Sequence, residues 1–226
     1  MKDTVPRRND PPNRAATTVK TMTTLKVRIK GVRPLIMHSW EGIDELNPMV
    51  IRKKELTDKK KKKTEADLEE LRWIDFRLGL YWDNKIGLYI PSDNIEKCLQ
   101  EGAAKSRLGK QSEAACFVTE TQIPIWLTNP KTGEIEEIKA KSPEQLYKDP
   151  RYIFRRPVRI PPRTGARMMT LRPMLPTGWV LEFDIEFDER LINAKDVGKA
   201  LITAGTIVGL GIWRPKFGQF VVEILN

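Results

Sequence analysis

Residues 179–187 alternate without a break. Trp179, Leu181, Phe183, Ile185 and Phe187 fall on one parity, and Val180, Glu182, Asp184 and Glu186 on the other. Successive side chains of a strand point to opposite faces, so this stretch reads as a strand with one buried face and one acidic, solvated face. Residues 25–30 repeat the pattern with the opposite sign: Leu25, Val27 and Ile29 alternate with Lys26, Arg28 and Lys30. Two such strands fit side by side, core faces together and charges matched. Each opposite-charge cross-strand pair contributes roughly 0.2–1 kcal/mol. A fold that satisfies this pairing neutralises Lys26, Arg28 and Lys30 against Glu182, Asp184 and Glu186, and withdraws them from any ligand.

The other elements follow from local signals. Arg33-Pro34-Leu35-Ile36-Met37-His38 continues the first strand as an extended segment after Gly31. Leu80-Tyr81-Trp82, the Asp83-Asn84-Lys85 turn and Ile86–Ile90 suggest a short hairpin. Ser92 reads as an N-cap, with Ile95, Cys98, Leu99 and Gly102 at helical spacing behind it. A strand is expected over roughly 116–127, followed by a turn at Asn129-Pro130-Lys131-Thr132-Gly133. Asn193 caps a second helix, with Asp196 at its third position and Ala194, Val197, Leu201 and Ala204 as its apolar stripe. A last strand closes the chain at about 218–225. Strand, helix, strand, strand, helix, strand, with right-handed crossovers, predicts an α+β fold: a ferredoxin-like (RRM-like) βαββαβ core, its antiparallel sheet in the order 4-1-3-2. Residues 1–23 read as a flexible basic arm, and 24–226 as one domain with insertions at about 41–75 and 128–175.

Charge narrows the function. Forty basic against thirty acidic side chains leave a formal +10 and an isoelectric point near 9.6, a balance that favours polyanions such as nucleic acid or an anionic membrane. No apolar run approaches the roughly 18 to 20 residues of a spanning helix. No hydrophobic stretch follows the basic residues of MKDTVPRRNDPPNR, so a cytoplasmic chain without a membrane partner is expected. Two cysteines, Cys98 and Cys116, and one histidine, His38, offer neither a disulfide framework nor a zinc cluster, so no metal and no cofactor is expected.

The surplus concentrates in three places. Residues 150–181 hold no acid and seven arginines: Arg151, Arg155, Arg156, Arg159, Arg163, Arg167 and Arg172. Arginine presents a planar fork to phosphate and stacks on bases, which a lysine point charge does not. Five of them bracket what reads as a long hairpin, Val158-Arg159-Ile160 out and Met168-Met169-Thr170 back. The competing reading is a surface loop whose arginines pair with acids such as Glu134, Glu136 and Glu137. Second, Lys59, Lys60, Lys61, Lys62 and Lys63 run consecutively before the acidic, helical-looking stretch 65–73, as either an exposed loop or a phosphate-grasping flap. Third, Gly209 and Gly211 precede Trp213, Arg214 and Lys216. Those glycines can take positive φ and let backbone N–H groups approach a phosphate, beside two cations and a stacking ring. The alternative there is a helix cap and a tight turn. The acidic sheet face argues against bases stacking on the sheet, as they do in an RNA-recognition motif.

The segment Gly209-Leu210-Gly211-Ile212-Trp213-Arg214-Pro215-Lys216-Phe217-Gly218 resembles the C-terminal glycine-rich loop of the repeat-associated mysterious proteins (RAMPs) of CRISPR systems. Leu88–Ile95 resembles the strand-to-helix passage of their effector-backbone subunits, and Arg33–His38 their first-strand exit. The resemblance implies RNA binding, polymerisation along a guide RNA, a thumb at 151–173 and an inserted region at 41–75. A stand-alone phage-borne relative fits the compact length and the basic arm. Three functions stay open: a non-catalytic coat for single-stranded nucleic acid, RNA first, as an oligomer or in a CRISPR-like complex; a phage single-stranded DNA binding or annealing protein; and a RAMP-type endoribonuclease using His38 as general acid or base.

Overall fold

A computed structural model describes residues 22–59, 62–159 and 167–225. Along the chain come β1 (Met22–Gly31), β2 (Leu35–Ile36), a 3-10 turn (Trp40–Ile43), α1 (Pro48–Thr57), α2 (Glu65–Gly79), β3 (Trp82–Asp83), β4 (Gly87–Pro91), α3 (Ser92–Ala104) and α4 (Gly109–Ala115). There follow β5 (Cys116–Val118), β6 (Gln122–Pro124), β7 (Trp126–Thr128), β8 (Ile135–Glu137), α5 (Pro143–Lys148), β9 (Ile153–Arg159), β10 (Arg167–Leu175), β11 (Trp179–Asp188), α6 (Ala194–Thr203) and β12 (Phe220–Leu225). The class is α+β with antiparallel sheets.

The main sheet runs β12-β1-β11-β7-β8, with β5 also on β11. β1 and β11 pair antiparallel with Lys26 opposite Asp184 and Arg28 opposite Glu182. Arg28 bridges both Glu182 (2.6 Å) and Glu223 of β12 (3.3 Å). Lys30 departs from expectation. The register sets it opposite Val180, and its ammonium goes sideways to Glu223 at 2.8 Å. Arg28 and Lys30 are thus neutralised from two neighbouring strands, whereas Lys26, opposite Asp184 in the register, is exposed and makes no ion pair among the described residues.

The opposite face carries the core. Trp179, Leu181, Ile185 and Phe187 are fully buried with Val27 and Ile29, beneath α3 (Ile95, Cys98, Leu99) and α6 (Val197, Leu201). The two helices touch at Gly102, where an added methyl would run into the Ala200 carbonyl and the Ala204 side chain. Trp179 is pinned at the centre. Its indole N–H donates to the Arg33 carbonyl at 2.9 Å, and Gly31 lies so close beneath it that no Cβ fits.

Several expectations are corrected. The single strand expected over 116–127 is three: β5 and β7 lie on β11, while β6 crosses to pair with β4. Ser92 is the first residue of α3 rather than its cap. Pro91 holds the cap position without a side-chain bond, and the Ser92 N–H goes to the Thr121 carbonyl. The strand start at Met22 takes in residues assigned to the arm, while residues 1–21 lie outside those described. Region 41–75 is an antiparallel helix pair, α1 and α2, closed by Leu56, Ile74 and Leu78. Arg52 bonds Glu55 and Glu70 and Lys53 bonds Asp75, so the acidic stretch neutralises the basic one before it.

Gly102→Val should part α3 from α6, costing about 1–3 kcal/mol by overpacking and lowering the thermal midpoint. A half-buried control, Gly198→Ala, meets no atom within 4 Å and should leave the midpoint level or raise it, as helix propensity favours alanine. Circular-dichroism melting of both variants checks this.

Candidate nucleic-acid interface

β9 and β10 pair from Ile153–Pro173 to Arg159–Arg167, and β2 extends the same ladder through Ile36–Met174. The arginine-rich segment is therefore a two-stranded arm rooted beside the exit from β1. Its pairing starts nearer the root than the sequence suggested, and residues 160–166, Arg163 among them, lie outside those described. Arg159 and Arg167 are register partners at the far end.

The arginines do not share one environment. Arg155 and Arg156 are exposed and make no ion pair among the described residues. The field of Arg155 reaches Glu69, whose pKa is lowered first by the Tyr147 hydroxyl (2.6 Å), then by Arg72 (3.0 Å), and to a smaller degree by Arg155 itself. Arg151 is held by Asp149 through both carboxylate oxygens (2.7–3.1 Å). Arg172 is half-buried at the root, with Nη1 3.2 Å from Nδ1 of His38. The expected partners Glu134, Glu136 and Glu137 bridge none of the described arginines; Glu136 accepts instead from Asn129 at 2.8 Å.

The arm root meets the glycine-rich loop through aromatic rings, of which Trp213 is expected from the sequence and Phe154 and Phe217 are not. Phe154 packs on Trp213 (centroids 5.1 Å apart) and on Phe217 (5.3 Å). Arg156 lies 6.0 Å above the Trp213 ring, and Lys216 6.0 Å from the Phe217 ring. The signal was present: Trp213 and Phe217 sit four apart, and Phe154 directly precedes Arg155. Only tertiary contact brings the three together.

Within the loop, Gly209 and Gly211 take φ of +81° and +78°. Their lack of a Cβ is used by the protein itself: the Phe217 carbonyl approaches Gly209, and the Ile36 carbonyl approaches Gly211. The N–H groups of Gly209, Leu210 and Ile212 donate to Ala204, Gly218 and Ile36. A phosphate cradle from those three atoms, as the glycine pattern suggested, is closed by these bonds. Arg214 is also partly engaged, bonding Glu101 at 3.2 and 3.3 Å and the Gly209 carbonyl at 3.4 Å. Trp213 is half-buried and Lys216 exposed.

The lysine run is divided. Lys59 bridges Asp67 at 2.7 Å, which with the Thr64 cap holds that carboxyl down at about 2. Lys63 donates to the Thr57 carbonyl at 3.1 Å, Lys62 is exposed, and Lys60 and Lys61 lie outside the described residues. Lys59 and Lys63 thus link the helix pair rather than form a flap.

His38 and the cysteines define what chemistry is at hand. Burial pushes the Cys98 thiol up to about 12, and it donates to the Gly209 carbonyl at 3.3 Å. It is a protonated strut from α3 to the loop. Cys116 is raised the same way. The His38 pKa is lowered by surrounding protein mass, then by Arg172 and Lys53. A guanidinium has only donors, so Nδ1 accepts and the proton of the neutral ring sits on Nε2. No group of three or more His, Cys, Asp or Glu placed to hold a metal occurs among the described residues, and no described helix is long and apolar enough to cross a membrane.

No protein-family model matches the chain, and no curated protein matches it. Among solved structures, a chain in the cryo-EM structure of the type III-B Cmr-beta bound to cognate target RNA is similar at 13% identity and a TM-score of 0.48. The match covers 91% of this chain and 61% of that one, so this chain spans about three-fifths of its neighbour's length. A likeness that slight fixes neither family nor activity.

With one histidine in the chain, proton NMR should show the His38 ring titrating below its ordinary 6.5, and Arg172→Met should move it back toward 6.5. The unfolded chain takes up this proton as pH falls through about 6.5, while the folded chain resists until lower pH. Stability present above that window should fall across it, and His38→Gln should flatten the fall.

Proposed function

We propose that this protein binds single-stranded nucleic acid, RNA in the first instance, by gripping the sugar–phosphate chain between the β9–β10 arm and the glycine-rich loop. The observation that carries the reading is the seating of Arg156 on Trp213, with Lys216 exposed on the same loop; Arg155, next along β9, is exposed on the other face of the arm, toward Glu69. Guanidinium and ammonium groups suit phosphates, and the indole supplies a face for a base. Backbone-led contact of this kind is weakly dependent on sequence.

The core strand order supports reading residues 24–226 as one ferredoxin-like domain: β12, β1, β11 and then β5 and β7 correspond to strands 4-1-3-2. That topology, the glycine-rich loop and the two shorter motifs together support a place beside the RAMP backbone subunits, with copies following one another along a strand. The imidazole supports a binder rather than a nuclease. Its one lone pair is engaged by Arg172, so the ring has no free site to take a proton, and a neutral ring is a poor donor.

Arg155→Ala with Arg156→Ala should weaken binding of a labelled single-stranded RNA about tenfold or more, at all sequences alike, with the melting temperature unchanged. Fluorescence anisotropy with RNA, DNA and duplex probes measures it. Full-strength binding by the double variant would contradict the reading, as would a clear preference for duplex. Intact RNA after long incubation is expected for both proteins.

A further inference from the structure

A second aromatic surface lies away from the arm. The β3–β4 turn, β6–β7 and the segment after β8 enclose an open groove of about 550 Å³, within the usual size range of ligand sites. Trp82 and Trp126 line it over an apolar floor of Leu88 and Ile125, and Lys85 and Lys141 stand at its rim. Both indoles are half-exposed, and neither stacks on another ring among the described residues. Glu137 is the one carboxylate in the lining. No motif in the sequence joins these residues; only the crossing of β6 from β11 to β4 brings Trp82 and Trp126 to one groove.

We infer that this groove is a base-stacking subsite: it holds unpaired nucleobases against Trp82 and Trp126 while Lys85 and Lys141 meet the flanking phosphates. The inference rests on the proposed strand-binding reading. Flat half-exposed indoles with cations beside them make up the pattern that serves single strands without regard to sequence, since every base offers a π-face. A peptide occupant would find the same apolar floor, but the rim favours an anionic ligand by two cations to one carboxylate. The groove also neighbours a cavity of about 480 Å³ at the root of the arm, whose lining includes Glu136 and Asp149. The wall at Glu137, Ile138 and Ala140 is shared by the two, and the cavity ends at Arg151 and Tyr152, directly before β9.

The test compares a labelled oligouridylate with an abasic sugar–phosphate strand of the same length, by anisotropy on the full chain. Wild-type protein should bind the base-bearing strand about tenfold or more tightly than the abasic one. Trp82→Ala and Trp126→Leu should each shrink that ratio several-fold and leave the abasic affinity level. Because Trp82 also packs against the core, Lys85→Glu with Lys141→Glu serves as a surface variant. It should weaken both strands with melting unchanged. An unchanged ratio in folded tryptophan variants, or unchanged affinity in the lysine variant, overturns the groove as a base site and leaves the arm reading standing, as it would if the groove were a peptide cleft. Failure of wild-type protein to bind either strand overturns the arm reading, and this inference with it.

Discussion

The antiparallel pairing of β1 with β11 holds the rest of the molecule in place. On one face it matches Lys26 and Arg28 with Asp184 and Glu182. On the other it sets Val27 and Ile29 against Phe183 and Leu181 under α3 and α6. A shift of one residue would turn both sets over, putting Phe183 in water and Glu182 in the core. The exit of β1 then fixes the functional end. Arg33 receives the Trp179 indole, Ile36 receives the loop at Ile212, and Pro34 receives Gly218. The loop and the arm root are both hung on that short run.

The same constraint decides where the positive excess is spent. Arg28 and Lys30 of β1 meet carboxylates on both neighbouring strands, and Arg52 and Lys53 of α1 meet the acids of α2. Exposed ion pairs of this sort add little stability each, but they cancel charge locally. What is left uncancelled among the described residues includes Arg155 and Arg156 on the arm and Lys216 on the loop. Aromatic packing of Phe154 with Trp213 and Phe217 brings Arg156 and Lys216 toward one place, while Arg155 projects from the other face of the arm. An arm that carried its arginines elsewhere would gain only self-repulsion.

Much of the scaffold can be read from the chain, and for definable reasons. β1 and β11 are legible because a buried face and a charged face alternate over their whole length, and α6 because Asn193 and Asp196 mark its start. α1 is hidden: Pro48–Thr57 looks like a charged run, and its apolar contacts through Leu56 depend on a partner helix. The break of 116–128 into β5, β6 and β7 is only partly legible: polar Thr119-Glu120-Thr121-Gln122 interrupts the apolar run, but nothing in the chain tells which sheet each piece joins. At the site, the arginines announce themselves by composition, whereas their partners do not. Asp149 beside Arg151 is visible in sequence; Glu101, which holds Arg214 from 113 positions away, is not. The glycine pattern fits either an opening for phosphate or a helix cap and tight turn, and the carbonyls of Phe217 and Ile36 fill the space in keeping with the second.

In the proposed function, exposed guanidinium and ammonium groups hold a phosphate chain, and ionic strength reports on that grip most directly. Each phosphate neutralised on a single strand releases about 0.7 of a counterion. If Arg155, Arg156 and Lys216 each meet one, the logarithm of the binding constant for single-stranded RNA should fall with the logarithm of salt concentration at a slope of about −2 or steeper. Affinity that holds level from low to high salt would contradict it.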